Sequence, residues 1–226
     1  MLHAASLMAS SVQKKLVRIS SGSVQVEGML ELPADPIGMV LLAHGNGSSR
    51  FSSRHNYVAG VLRDSRFGTL LMDLLTVSED QKDRVRFDIP LLSQRLDATV
   101  EWLLQYFATC SLPLGLFGAS TGSAAALQVA AARKTGIAAI VSRSGRPDMA
   151  GHSVLEQINI PTLLIAGRQD DAVLELNQTA YGAIRCKKAL EIIPGATGFF
   201  EEPGKLETVA ALAAGWFECH LKSIAN

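Results

Sequence analysis

The sequence contains few cysteines and lacks the local patterns that bind metals or nucleotides. Its three cysteines, Cys110, Cys186 and Cys219, are widely spaced and form no C-x-x-C pair. Three cysteines cannot all pair within one chain, so free thiols in a reducing compartment are expected. The chain also has no Walker loop and no cluster of His, Cys and carboxylate residues with metal-ligand spacing. We therefore expect neither a metal nor a cofactor.

Neither sign of charge is in excess. The 226 residues include 21 Lys and Arg and 21 Asp and Glu, without a basic run. This balance gives no reason to expect nucleic acid or an anionic membrane as a partner. No apolar run is long enough to span a bilayer, and the N-terminal segment lacks the basic start and long apolar core of a signal peptide. The sequence predicts a cytoplasmic protein that is a monomer or a homodimer.

Hydrophobic patterning predicts an α/β protein. Alternating polar and apolar residues over 15–32 predict a β-hairpin. Continuous apolar runs then alternate with helical patterns, as in parallel strands that are buried on both faces; these runs are 38–43, 69–72, 114–117, 137–141 and 161–166. A last strand is expected over 189–193. We expect a flexible N-terminus over 1–14. A single domain over 15–226 follows, with a mostly parallel, doubly wound sheet between two helical layers.

The run Gly118-Ala119-Ser120-Thr121-Gly122 follows one of these strands and precedes an alanine-rich helical pattern. Strand, sharp turn and helix with a serine at the apex are typical of a nucleophile elbow. Glycines are needed there because strand and helix approach each other closely around a strained serine. The simpler interpretation is a tight Gly/Ser turn with no chemistry. We favour the elbow, with Ser120 as a nucleophile.

A serine nucleophile needs an oriented base and two N–H donors for the developing oxyanion. The residue after the nucleophile supplies one donor, which is the N–H of Thr121. We place the second at the N–H of Asn46, in the loop after an early central strand, and expect a structural role for His44 in that loop. Asp170 stands after a later strand, where the orienting acid belongs, with Asp171 as the alternative. Either carboxylate would otherwise cap the helix that follows.

The base should be a histidine in the loop after the last strand. That loop reads Gly195-Ala196-Thr197-Gly198-Phe199-Phe200 and contains none. His55 and His152 lie in segments that leave the same edge of the sheet, and they are the alternative bases.

The motifs together resemble the α/β-hydrolase superfamily and, within it, the dienelactone-hydrolase-like group of small hydrolases without a cap domain. The resemblance covers nearly the whole chain and includes the runs 44–50, 87–92, 118–122, 143–147, 167–170 and 194–204. Relatives of this pattern usually carry histidine where this sequence has Gly198. The resemblance implies an α/β-hydrolase fold, with Ser120 as nucleophile, Asp170 as acid and position 198 as base. Dienelactone hydrolase itself uses cysteine, so Ser120 indicates a general esterase for small carboxylic esters or lactones.

Gly198 leaves three hypotheses open. The chain is a hydrolase impaired at its base position, or it hydrolyses with another base. The third hypothesis is a catalytically inactive protein of this fold that binds a ligand or a partner. A nicotinamide-binding turn at 44–50 is a weak alternative, because Arg50 replaces the third glycine of the pattern.

Arginines are frequent at the predicted edge of the sheet. Arg50, Arg143 and Arg146 are the candidate substrate-binding residues, and Arg54 and Arg168 lie nearby. If they remain unpaired, they favour esters that carry a carboxylate or phosphate. The alternative is that most of them pair with Asp73, Asp148, Glu201 or Glu202.

Overall fold

The computed structural model of the protein describes residues 12–45 and 49–221. Most of the predicted flexible N-terminus and the candidate donor Asn46 lie outside these ranges. The first strand begins at Gln13, two residues before the predicted start of the domain.

Within the described ranges, eight strands form one sheet, and eight α-helices connect or flank them. The strands are β1 (Gln13–Ser21), β2 (Val24–Leu32), β3 (Gly38–Ala43), β4 (Phe67–Met72), β5 (Leu114–Ala119), β6 (Ala139–Arg143), β7 (Thr162–Gly167) and β8 (Lys188–Ile193). The helices are α1 (Ser53–Asp64), α2 (Val77–Asp80), α3 (Asp83–Arg86), α4 (Ile89–Gln105), α5 (Thr121–Ala132), α6 (His152–Gln157), α7 (Asp171–Ala183) and α8 (Lys205–His220).

The sheet has the strand order β1-β2-β4-β3-β5-β6-β7-β8. Strands β3 to β8 are parallel, whereas β1 pairs antiparallel with β2, and β2 pairs antiparallel with β4. The chain passes from β3 outward to β4 and then returns to the other side of β3 as β5. Ligands bind at such a switch point, outside the carboxyl ends of the strands. This position lies between the ends of β3 and β5.

Two apolar clusters fill the space on either side of the sheet. Helices α4, α5, α6 and α7 cover one face, and α1 and α8 cover the other. The parallel strands β3, β4, β5, β6 and β7 are buried along their whole length, as their continuous apolar runs predict. The predicted three-layer αβα architecture with an antiparallel start is confirmed. Among the described helices, none is long and apolar enough to cross a membrane.

The polar segment 74–87 after β4, which we call the excursion, contains the one-turn helices α2 and α3. Glu79 of α2 accepts hydrogen bonds from both terminal nitrogens of Arg95 in α4, at 2.6 and 2.7 Å. Arg95 is 3% exposed and also donates to the carbonyl of Leu74 at 3.0 Å. The ion pair therefore holds the excursion against α4, where it borders the carboxyl edge of the sheet.

This ion pair generates a prediction about stability. Glu79→Ala leaves a buried guanidinium without its carboxylate and is expected to lower the free energy of unfolding by about 3 kcal/mol. The hydrogen bond from Arg95 lowers the pKa of Glu79 from 4.5 to about 2. A lowered folded-state pKa gives stability that is present above pH 4.5 and is lost as the pH falls toward 2. Urea unfolding between pH 7 and pH 3 measures both effects.

The matched control is Asp83→Ala. The side chain of Asp83 is 88% exposed and forms an ion pair with Arg86. An exposed pair contributes at most about 1 kcal/mol. If the two variants lose equal stability at pH 7, the Glu79–Arg95 pair does not hold the excursion.

Candidate active site

The turn at Ser120 has the geometry of a strained elbow. Ser120 is half-buried and has φ 51° and ψ −127°, a conformation that non-glycine residues rarely adopt. It follows β5 directly and precedes the first turn of α5. Its carbonyl accepts hydrogen bonds from the N–H groups of Ser123 and Arg146, at 3.1 and 3.2 Å. The serine side chain is thus carried on a rigid apex at the switch point of the sheet.

Glycines surround this apex because there is no room for side chains. A Cβ at Gly45 would lie 2.7 Å from Cβ of Ser120 and 2.8 Å from the nitrogen of Thr121. A Cβ at Gly118 would meet the backbone of Ser123, and one at Gly122 would meet the carbonyl of Ala43. The ends of β3, β5 and α5 are therefore in direct backbone contact. This contact explains the glycine spacing on which the sequence prediction depends.

The loop after β3 is attached to the sheet through Asp73. Nε2 of His44 lies 2.9 Å from one carboxylate oxygen of Asp73, and the backbone N–H of Arg50 donates to the same oxygen at 2.7 Å. The guanidinium of Arg50 pairs with the other oxygen. Burial by itself raises the pKa of Asp73, but the hydrogen bonds from His44 and Arg50 outweigh it, and the pKa lies below its ordinary value. His44 therefore anchors the loop, as the structural role predicted for it requires.

Asp170 follows β7 and caps α7. One carboxylate oxygen, Oδ1, accepts a hydrogen bond from the N–H of Val173 at 3.3 Å. The other, Oδ2, faces Gly198, where it would contact a Cβ built on that residue. A single carboxylate thus caps the helix and faces position 198. The alternative acid, Asp171, is 89% exposed and pairs with Arg168 at the surface.

The loop after β8 brings Gly198 to Asp170 through backbone contacts. The N–H of Gln169 donates to the carbonyl of Ala196 at 2.9 Å, and Gly167 has no room for a Cβ against the carbonyl of Thr197. The φ angle of Gly198 lies outside the positive range, so the backbone there does not require glycine. A Cβ at this position would have to displace the tip of the Asp170 side chain.

Ser144 is a residue of this region that the sequence does not single out. It has φ 40°, and its buried hydroxyl has no hydrogen-bond partner among the described residues. Its Oγ lies 3.6 Å from the position of a Cβ on Gly198. The signal in the sequence is the pair Ser144-Gly145 after β6, which stands between Arg143 and Arg146. Ser120, Ser144 and Phe200 are the strained non-glycine residues described at the carboxyl edge.

The alternative bases differ in environment. His55 is buried at the start of α1, its ring centroid 5.7 Å from that of His44. Burial, together with the charges of Arg143, His44 and Arg54, lowers the pKa of His55 to about 2. A base this weak is poorly matched to proton transfer near neutral pH. His152 is exposed and begins α6.

Most arginines of the edge are paired, in agreement with the alternative interpretation of their charge. Arg50 pairs with Glu27 and Asp73, Arg54 with Glu201, and Arg146 with Asp148. Glu202 instead accepts a hydrogen bond from the N–H of Thr197. Arg143 is buried and has no ion pair within the described ranges.

A cavity of about 80 Å³ lies beside the elbow. Thr121, His44 and Asp73 form one side of it, and the excursion after β4 forms the other with Leu74, Leu75 and Val77. Within the described ranges, no group of three His, Cys, Asp or Glu side chains has the arrangement of a metal site.

The chain is similar to known proteins in sequence and in structure. No protein-family model matches it. A putative phosphoribosyl transferase of Mycobacterium tuberculosis is 52% identical over 205 residues, which cover 91% of this chain and 46% of that protein. The chain thus spans less than half the length of the curated relatives it matches.

Solved structures give the fold directly. Est1E from Butyrivibrio proteoclasticus is 15% identical, with a TM-score of 0.77 over 90% of this chain and 97% of its own, which shows the fold alone. A dienelactone hydrolase from Anabaena variabilis is 46% identical, with a TM-score of 0.89 over 93% of this chain and 99% of its own. The chain therefore belongs to the α/β-hydrolase superfamily and, within it, to the dienelactone-hydrolase-like family.

Proposed function

We propose that this chain is a serine hydrolase of small carboxylic esters or lactones whose turnover is limited by glycine at the base position. The single observation that supports this most is the strained backbone of Ser120 at the switch point of the sheet. Such strain costs on the order of 1–3 kcal/mol and persists where a function uses it. The similarity to a dienelactone hydrolase, and to esterases of the same fold, supports the same reaction class.

In the proposed reaction Oγ of Ser120 attacks the ester carbonyl and forms an acyl-enzyme, and the alcohol leaves. The N–H of Thr121 stabilises the oxyanion, and we assign the second donor to Asn46. Water then hydrolyses the acyl-enzyme and returns Ser120 to its starting state. The cavity beside Thr121, at about 80 Å³, suits a short acyl group.

The scheme has no histidine at position 198 to accept the proton of Ser120. Asp170 faces a glycine there, so its Oδ2 has no imidazole to orient and would contact a Cβ at that position. Loss of a triad histidine costs about 10⁶-fold in turnover and leaves about 10³-fold over water from the oxyanion hole and binding. We therefore expect weak hydrolysis by the chain as it stands.

The name of the curated relatives indicates a different chemistry, phosphoribosyl transfer. That name belongs to proteins of which this chain covers 46%. The Ser120 elbow and the strand order of the sheet favour hydrolysis for the segment that this chain represents. The serious alternative is a catalytically inactive binding module, which the glycine at position 198 favours.

Gly198→His tests the proposed function. If the proposed function holds, the introduced imidazole accepts the proton of Ser120 and is oriented by Asp170, so we expect hydrolysis of p-nitrophenyl acetate to rise by about 10²- to 10⁴-fold, the usual contribution of a positioned base. Gly198→Ala is the matched control, because it adds the same Cβ against Asp170 without a base. Steady-state kcat and KM are measured for both, with folding checked by circular dichroism.

Two double variants separate the roles of the partners. Gly198→His with Ser120→Ala is expected to lose the gained activity completely, and Gly198→His with Asp170→Asn most of it. If Gly198→His folds and hydrolyses no faster than Gly198→Ala, the proposed function is wrong and the binding module is favoured.

Added imidazole is expected to increase hydrolysis by the unmodified chain beyond its effect on the ester alone. The free base is the active form, so the increase should grow with pH through about 7 and then level off. The measurement is the initial rate against imidazole concentration at several pH values. Ser120→Ala is the control, since an equal increase in that variant would show that Ser120 takes no part.

A further inference from the structure

Arg143 differs from the other arginines at the carboxyl edge. Four of them are neutralised by carboxylates, in the pairs Arg50–Asp73, Arg54–Glu201, Arg146–Asp148 and Arg168–Asp171. Arg143 is 6% exposed, and its Nε and Nη1 are buried without a hydrogen-bond partner among the described residues. A guanidinium is always a donor, so the three N–H bonds on these two buried nitrogens are unused.

The surroundings of Arg143 are basic. Arg54 and His55 lie close enough to interact electrostatically with it, and Phe200 covers one side, its ring centroid 5.9 Å from the guanidinium carbon. Burial, with a further contribution from Arg54, lowers the pKa of Arg143 to about 10, which still leaves it charged at neutral pH. A buried charge is costly unless it is paired, and here the charged group that acts on Arg143 is another cation, Arg54.

The position of Arg143 connects this charge to the elbow. It ends β6, where its register partner on β5 is Ala119, the residue before Ser120. The side chain of Arg54, which interacts electrostatically with Arg143, is 32% exposed, and its partner Glu201 is 65% exposed. An exposed ion pair is weak, so an anion from solution can compete with Glu201 for Arg54.

We propose that Arg143 and Arg54 together bind one small oxyanion, a phosphate or a carboxylate, beside the elbow. A planar guanidinium can donate two parallel hydrogen bonds, from Nη2 together with either Nε or Nη1, and this fork matches the oxygen spacing of both groups. The anion comes either free from solution or as the acid group of a bound substrate. Binding at this position requires no hydrolysis and so stands apart from the proposed function.

Inorganic phosphate is the first probe, with the unmodified chain. We expect about 10 mM phosphate to raise the midpoint of thermal unfolding by about 2–4 °C relative to the midpoint in sodium chloride of equal ionic strength. In Arg143→Met the rise should disappear. Arg143→Met without phosphate is expected to unfold no earlier than the parent, because an apolar side chain replaces an unpaired buried charge.

Arg168→Met is the matched control, since this arginine is 59% exposed and paired with Asp171. It should keep the full response to phosphate, whereas Arg143→Lys should bind several-fold more weakly because it lacks the planar fork. Equal phosphate responses in the parent and Arg143→Met would overturn the proposal. So would a response to phosphate no larger than that to chloride.

The source of the anion is separated in a second experiment, with sodium acetate and with acid-bearing esters. If the site holds a free oxyanion, phosphate raises the unfolding midpoint, and Gly198→His has the same KM for hemisuccinate esters as for neutral esters. If it holds the acid group of a substrate, the hemisuccinate ester has the lower KM, and phosphate competes with it. If Gly198→His is inactive, the KM values cannot be compared. The unfolding measurement with phosphate still tests the proposal, because it does not depend on turnover.

Discussion

The contact on which the site depends is the close approach of three backbones at the carboxyl edge of the sheet. The ends of β3 and β5 and the first turn of α5 meet where Gly45, Gly118 and Gly122 leave no room for a Cβ. This contact holds Ser120 at a positive φ that its own side chain disfavours. The strain is sustained because fully buried strands on both sides over-determine the position of the turn. A serine in a free loop would relax.

The second half of the site depends on a similar backbone contact between β7 and β8. Backbone N–H groups after β7 donate to the carbonyls of Ile193 and Ala196, and these bonds bring Asp170 within contact distance of position 198. A carboxylate therefore faces a position without a side chain at the edge of the sheet that also carries Ser120. Because φ at Gly198 is ordinary, no demand of the backbone explains the glycine.

Charge at the edge follows from pairing more than from composition. Counting arginines in the sequence leaves two possibilities, a cationic rim or pairing with carboxylates. Most of them are paired, in part with distant segments: Glu27 reaches Arg50, and Glu201 reaches Arg54. Arg143 lies under Phe200 at the end of a central strand, among other basic groups, and no carboxylate of the described residues pairs with it. Among the arginines described at this edge, Arg143 is therefore the one whose charge is buried and unpaired.

The sequence by itself determined the architecture and the elbow. Continuous apolar runs can be satisfied only by strands buried on both faces, and the Gly-x-Ser-x-Gly spacing follows from the close packing of strand and helix. The order of Ser120, Asp170 and the loop containing Gly198 was equally readable, because parallel strands deliver their following loops to one edge. What the sequence could not show is which side chains meet there. The Arg95–Glu79 pair, the strain at Ser144, the contact of Asp170 with position 198 and the isolation of Arg143 were decided only by the tertiary structure. The physical reason is that pairing between segments far apart in the chain depends on distances that no local pattern encodes.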